Sequence, residues 1–261
     1  MNKTGLYVYA IVPADDISER QLTTGIDNEP LHIVRAAGLG AVVHASATEP
    51  YQGPDAEVER WILEHSQVVD TVWEAAGTVL PVTFNVIVRQ GDDGAPAEDR
   101  LQEWLAVSAD TVREHLENLR DRVELRVEIS LDEAVVASMS QELIEMQRAT
   151  ESRPAGVQRL YRKRLEERTR EVAEKAADRL YPEYRRRLVS LAEDLSENTR
   201  PGRNPGSVSV LTVSLLVNRT DMDAIGLELA DIRDNQPGAQ IRYLGPWPPY
   251  SFADVPELDG S

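Results

Sequence analysis

The chain of 261 residues contains no cysteine, so it forms neither disulfides nor thiolate metal sites. Long hydrophobic runs are missing near its start, where the apolar stretch 6–12 is far shorter than the roughly 20 residues that cross a bilayer. No small-residue cleavage site follows this stretch, as a secretory signal would require. These absences are typical of a soluble protein of the reducing cytoplasm. The short apolar stretch 6–12 itself is rich in β-forming residues and predicts a β-strand.

Positive charge is scarce, since 28 Lys and Arg oppose 45 Asp and Glu and give a net charge of −17. This charge argues against general affinity for nucleic acid or anionic membranes. Residues 153–187 nevertheless hold twelve basic and six acidic side chains. Such a helix is either a docking face or, more commonly, a solvated face laced with ion pairs. The candidate docking cations are Arg159, Arg162, Lys163, Arg185 and Arg186.

Aromatic residues make up only 5% of the chain, yet four of the fourteen lie in the stretch YLGPWPPYSF, residues 243–252. Each residue before a proline is driven away from the helical conformation, so this segment is predicted to be stiff and extended. Its aromatic side chains either clamp the segment onto the protein's own core or form a ridge for a partner. Physical chemistry alone favours the clamp. The candidate residues are Tyr243, Pro246, Trp247, Pro248, Pro249, Tyr250 and Phe252.

Hydrophobic patterning predicts an α+β fold with intermixed strands and helices. Strands are predicted at 6–12, 31–36, 41–46, 80–88, 122–131, 207–217 and 240–245. Helices are predicted after Pro54, from Pro96 to about 119, over about 133–197 with a break near Pro154, and from about 220. We expect an N-terminal α+β domain at 1–120 and a C-terminal domain at 121–253. A polar and mobile tail is expected at 254–261.

Three of these elements carry specific expectations. Strand 122–131 alternates strictly, which places Glu124 on the solvated face. The helix after Pro54 should bury Ile62 and His65 on its apolar stripe. In the long helical region Val157 and Leu160 begin another apolar stripe, and Pro182 predicts a kink or a new helix.

No motif in the sequence supports catalysis. The four histidines lack metal-ligand spacing, and His65 is best explained as a satisfied core histidine. Walker, G-x-G-x-x-G and G-x-S-x-G patterns are missing. We therefore expect no catalytic residues, no cofactor and no metal, and an enzyme of unknown reaction is disfavoured. A weaker alternative is a nucleic-acid-binding or regulatory protein that uses helix 159–187, where three tyrosines lie among the arginines.

The stretch IRYLGPWPPYSFADV, residues 241–255, resembles the ending of the gas vesicle GvpF/GvpL family. Four further stretches agree in order: GLYVYAIVP, LPVTF, GVQRLYRKRLEER and SLLVNR. The resemblance extends from about residue 5 to 253. One departure concerns the family pattern LPV-R-F-G, which here has Thr83 in place of the arginine and Asn85 in place of the glycine. Any role of that arginine is therefore not carried over.

The resemblance implies a non-enzymatic accessory or minor structural protein of cytoplasmic gas vesicles. It implies binding to the small, very hydrophobic wall protein and to other gas vesicle accessory proteins, with support for nucleation and control of wall-protein aggregation. It implies no nucleic acid and no membrane as partners. The implied fold has two α+β domains, the second a modified ferredoxin-like domain with long inserted helices.

Overall fold

The computed structural model describes residues 5–197, 205–254 and 256, and within them helices combine with two antiparallel sheets. The strands are β1 Gly5–Pro13, β2 His32–Ala36, β3 Leu39–Ser46, β4 Leu80–Pro81, β5 Ile87–Arg89, β6 Arg122–Asp132, β7 Asp194–Glu197, β8 Ser207–Asn218 and β9 Ala239–Trp247. The helices are α1 Asp55–Ala76, α2 Ala97–Val107, α3 Ala109–Leu119, α4 Glu133–Met139, α5 Gln141–Glu151, α6 Ala155–Val189 and α7 Met222–Asn235. The predicted mixture of helix and sheet is confirmed.

The first sheet has the order β2-β3-β1-β4, and β5 also pairs with β1. β1 is the central strand, and its residues from Gly5 to Val12 are all buried because α1, α2 and α3 pack near it. This burial on both faces agrees with the uninterrupted apolar run. The β2–β3 hairpin turns at Ala37 and Gly38, both with positive φ, as a tight hairpin turn requires.

The predicted strand 80–88 is wrong as a single element. It is divided into β4 and β5, which both pair with β1, and residues 82–86 between them are irregular. Asn85 has a φ of 75°, a left-handed conformation that a continuous strand cannot contain. The apolar pattern therefore did not reveal the irregular backbone between the two strands.

The second sheet has the order β7-β8-β6-β9, and β7 pairs with β8 in antiparallel register. The sequence placed residues 194–197 at the end of a helix, which is wrong. The segment Asp-Leu-Ser-Glu is polar and pairs along one side only, so neither hydrophobic alternation nor length identifies it as a strand. α6, α4, α5 and α7 are the helices of this part of the chain.

The chain divides into two compact units. Unit 1 comprises the chain through Glu124 together with the segment from Trp247, and unit 2 comprises Leu125–Pro246. This division lies close to the expected boundary at residue 120. It differs for residues 247–253, which the sequence assigned to the second domain and which group with unit 1.

The helices differ from expectation at several points. The helix from Pro96 ends at Val107, and α3 begins after Ser108. α6 continues through Pro182, so no new helix starts there. Val157 and Leu160 are 40% and 55% exposed, and Ile62 is also exposed, so these three do not belong to the core. The apolar stripe of α6 becomes buried only farther along, at Ala173, Ala177, Tyr184 and Leu188.

The predicted connector 199–207 lies mostly outside the described residues, as does the predicted tail 254–261 apart from Asp254 and Pro256. Among the helices of the described ranges, none is long and apolar enough to cross a membrane.

Candidate interaction site

The aromatic segment is fixed to unit 1 by Ser251. Its backbone N–H donates to Glu124 Oε2 at 2.7 Å, and its hydroxyl donates to Glu124 Oε1 at 2.6 Å. Glu124 is only 6% exposed, so the expectation of a solvated carboxylate is wrong. Its two oxygens are each satisfied by the segment, which explains how a charged residue is accommodated in a buried position of β6.

Three other residues of the segment are packed against the protein. Pro248 and Pro249 are buried, and Tyr250 is the first residue of a short 3₁₀ turn, Tyr250–Phe252. Burial raises the pKa of the Tyr250 phenol, with the negative charge of Asp70 adding and Ser66 opposing. Ser66 and Asp70 both lie on α1, so the phenol is inserted beside that helix. Pro248, Pro249 and Tyr250 therefore pack within unit 1, and the role of the segment as a clamp stays a prediction.

Other residues of the segment remain accessible. Trp247 is 39% exposed, and Tyr243 and Pro246 are exposed as well. The Gly245–Pro246 bond is cis. Within the segment, Pro248 and Pro249 are thus buried, whereas the side chains of Tyr243, Pro246 and Trp247 are accessible.

α1 also presents apolar side chains to solvent in unit 1. Ile62 and Leu63 are 41% and 62% exposed. Ser66, which neighbours the Tyr250 phenol, is four residues after Ile62 and three after Leu63, so the three positions lie on adjoining turns of one helix face. The aromatic segment therefore contacts α1 within about one helical turn of this exposed apolar pair.

A buried network of histidine and tyrosine, absent from the expectations apart from His65, lies on the first sheet. His65 Nε2 is 3.0 Å from the Val82 carbonyl, which can only accept, so Nε2 carries the proton. Nδ1 then accepts from the Tyr7 hydroxyl at 2.9 Å. Burial lowers the pKa of His65 to about 4. His65 is a satisfied core histidine, as predicted.

The second half of the network joins three rings. The Tyr9 hydroxyl is 2.8 Å from His44 Nδ1, and it accepts the Ile26 backbone N–H. His44 Nε2 is 3.2 Å from the Tyr51 hydroxyl. Burial raises the pKa values of Tyr7 and Tyr9, and that of Tyr51 to about 12. Tyr7 and Tyr9 share one face of β1. Two tyrosines in an otherwise apolar strand could have indicated this network, because buried hydroxyl groups require hydrogen-bond partners.

Asn85 explains the departure from the family pattern at this position. Its positive φ suits glycine best, and asparagine is among the few other residues that adopt it readily. Its side chain also accepts from the Tyr51 N–H at 2.8 Å and donates to the Tyr51 carbonyl at 3.1 Å. Asn85 thus supplies the backbone conformation of a glycine and adds two hydrogen bonds. Thr83, in place of the arginine, is exposed.

The predicted docking residues on α6 behave differently from one another. Arg185 pairs with Glu197 at 2.7 Å, and Lys163 approaches Glu167 at 4.0 Å. Arg162 donates to the Gln158 side chain at 3.1 Å. Arg159 and Arg186 are exposed and have no ion-pair partner within the described residues. The ion-paired interpretation therefore holds for part of the helix only.

No group of three or more metal-ligating side chains that could hold an ion occurs in the ranges that the structure describes.

The family model described as gas vesicle synthesis protein GvpL/GvpF matches residues 5–254. Gas vesicle protein L2 of Halobacterium salinarum is 32% identical over 95% of this chain and 91% of its own length. Gas vesicle protein L of a Streptomyces species is 27% identical over 97% of this chain and 94% of its own length. The similarity thus extends over both units.

Two crystal structures have a similar fold. Gas vesicle protein GvpF of Microcystis aeruginosa superposes with a TM-score of 0.66 at 19% identity, covering 97% of this chain and all of that one. GvpF of an Anabaena species superposes with a TM-score of 0.67 at 20% identity, covering 97% of each chain.

Proposed function

The chain belongs to the gas vesicle GvpL/GvpF family and has a gas vesicle-related role, and from this premise we propose that it binds the hydrophobic gas vesicle wall protein. In this proposal it is a non-enzymatic accessory or minor structural protein of the cytoplasm and the gas vesicle. It supports nucleation and limits wall-protein aggregation. The observation that carries the proposal is the accessible Trp247 on a segment fixed to unit 1.

The surface proposed for this contact, the apolar client surface, consists of Ile62, Leu63 and Trp247. All three are exposed apolar side chains of unit 1. Tryptophan is enriched among residues that dominate binding energy, because a large rigid ring buries much area at small entropic cost. Pro248 and Pro249 are buried directly after it, and Ser251 is bonded to Glu124, so Trp247 is preorganised.

Net charge supports the same role. A chain with a charge of −17 repels its own copies and stays dispersed. An acidic protein with one restricted apolar surface can cover a hydrophobic client without aggregating with it. Exposed apolar area beyond such a surface would itself favour aggregation.

We also propose that unit 2 is a modified ferredoxin-like domain. Along the chain its elements follow the order β-α-β-β-α-β. Helices α4, α5 and α6 lie between β6 and β7, and α7 lies between β8 and β9. The order of the strands in the sheet, β7-β8-β6-β9, supports this interpretation. The long helices between β6 and β7 are then the insertion.

The experiment is a light-scattering assay of wall-protein aggregation in the presence of the full-length chain. Trp247→Ala and Leu63→Ala are expected to weaken suppression of aggregation, because each removes apolar contact area. Val107→Ala is the matched control, since Val107 is an exposed apolar residue at the end of α2 in the same unit. Circular dichroism melting verifies that the variants remain folded. Full suppression by a folded Trp247→Ala, Leu63→Ala double variant would overturn the proposal.

A further inference from the structure

Residues 153–164, which we call the basic tip, differ in charge from the rest of the chain. The tip contains Arg153, Arg159, Arg162, Lys163 and Arg164, and no acidic residue. Farther along α6, Arg168 is paired with Glu142 and Arg170 with Glu174. The tip is therefore a locally positive surface on a protein whose net charge is −17.

Uncharged groups hold the tip's arginines in place. The Arg153 guanidinium lies 3.8 Å from the centre of the Tyr161 ring, and that of Arg164 lies 5.6 Å from it. Arg162 donates to Gln158 at 3.1 Å. A neutral ring and an amide orient these cations without neutralising them. Their positive charge therefore remains available to an anionic partner.

The first turn of α6 also lacks the acidic residues that are common at the start of a helix. The N-terminal end of a helix carries a partial positive charge, and acidic residues are preferred there. The first turn of α6 contains none, and four cations follow within the next two turns. Of these four cations only Lys163 approaches a carboxylate within the described residues, that of Glu167 at 4.0 Å, so most of the charge is left for a partner.

Exposed apolar side chains lie among these cations. Val157 and Leu160 are three residues apart, and both are substantially exposed. The Gln158 side chain donates to the carbonyls of Glu151 and Arg153, at 3.3 and 2.8 Å, and so fixes the turn between α5 and α6. The apolar pair is thus presented in the first two turns of α6, directly after this turn.

We infer that the basic tip binds an acidic amphipathic helix of another protein. Carboxylates of that helix pair with Arg159, Arg162 and Arg164, and its apolar stripe covers Val157 and Leu160. Arginine suits this contact because its planar fork binds carboxylates through two parallel hydrogen bonds. The site involves none of the residues of the apolar client surface, so it is independent of wall-protein binding.

The chemistry of the tip disfavours two other occupants. A nucleic acid is a long polyanion, and the helical part of the tip is only about 15 Å long. Beyond it the strand would meet Glu151, Glu166 and Glu167, and phosphates would leave Val157 and Leu160 uncovered. Isologous pairing with a second copy would bring two basic tips together, which like charge opposes.

The test uses the full-length chain and a synthetic helical peptide with leucine at i, i+3 and i+4 and glutamate on its flanks. Fluorescence anisotropy measures its binding. Arg159→Glu with Arg162→Glu is expected to weaken binding at least tenfold, about the effect of one lost charged hydrogen bond. Leu160→Glu is expected to do the same. The matched controls are Arg179→Glu on α6 and Leu227→Glu on α7, both at exposed positions.

A scrambled peptide of the same composition and a duplex DNA oligonucleotide are the comparison probes. Weak binding of both, with tight binding of the amphipathic peptide that only the tip variants abolish, supports the proposal. No binding of the amphipathic peptide, equal binding of the scrambled peptide, or tighter salt-sensitive binding of the DNA would each overturn it. Sedimentation at the same concentrations tests for self-association of the chain without peptide. Self-association that the tip substitutions abolish would likewise overturn the proposal.

Discussion

Glu124 and Ser251 are 127 residues apart in the sequence, and two hydrogen bonds of 2.7 and 2.6 Å join them. One serine thus satisfies both oxygens of a buried carboxylate and attaches the aromatic segment to the beginning of β6. The carboxylate depends on the segment, because without Ser251 the buried oxygens of Glu124 would lose their hydrogen-bond donors. The family signature of the sequence is therefore also a structural contact.

Ser251→Ala is expected to lower the free energy of unfolding by about 1–3 kcal/mol, the cost of leaving a buried acceptor unsatisfied. Urea denaturation followed by circular dichroism measures the change. The control is Ser138→Ala, since the Ser138 hydroxyl bonds only locally, to the Val135 carbonyl, at an exposed position. Equal stability of the two variants would show that the contact with Glu124 contributes nothing.

The regular core elements were predictable from sequence because their side chains follow the period of the backbone. β1 is apolar on both faces and is buried on both, and α7 buries Ile225, Leu229 and Ile232, which are spaced as one face of a helix. The role of His65 followed from its place on an apolar stripe. These features depend on local pattern alone.

Features set by distant contacts were not predictable. Glu124 reads as a solvated position until Ser251 covers it, and no local pattern reveals a partner so far along the chain. β7 is a polar strand that exists because β8 offers it an edge. The exposed Val157 and Leu160 fit a core stripe by spacing, and only the packing of α6 shows that its first turns extend beyond that core.

Asn85 provides a test of why a glycine position tolerates asparagine. Asn85→Ala loses the two hydrogen bonds to Tyr51 and places a Cβ in a left-handed conformation that costs about 1–2 kcal/mol. Asn85→Gly loses the same bonds without that strain. We expect Ala to be less stable than Gly by about 1 kcal/mol, measured by chemical denaturation. The opposite order would mean that the positive φ at this position is not maintained.

His65 predicts a dependence of stability on acid. Its pKa in the folded protein is about 4, below the ordinary value of 6.5, so between these values the unfolded chain binds a proton that the folded chain does not. Stability therefore falls as the pH decreases from about 6.5 to about 4, and it is constant in this respect at higher pH. The shift corresponds to a contribution of about 3 kcal/mol.

Denaturation curves at pH 7, 6, 5 and 4.5 measure this loss. In His65→Gln the part of the slope due to the histidine is expected to disappear, although stability at pH 7 is lower because Tyr7 and Val82 lose a partner. His32→Gln, which replaces a histidine outside this network, is the control substitution. A slope unchanged by His65→Gln would exclude His65 as its source.

Arg187 joins α6 to α7 through Glu228 and Asp231, with its side chain only 22% exposed. Arg187→Ala leaves two carboxylates facing each other without a cation, so we expect a loss of about 1–2 kcal/mol, more than an isolated exposed pair gives. Arg187→Lys keeps the positive charge but not the planar guanidinium. Its free energy of unfolding is expected to lie between those of the native chain and Arg187→Ala. Arg185→Ala, which breaks the more exposed pair with Glu197, is the control and is expected to cost less than about 1 kcal/mol. Equal losses in the two alanine variants, measured by thermal and urea unfolding, would show that the partial burial of the Arg187 network adds no stability.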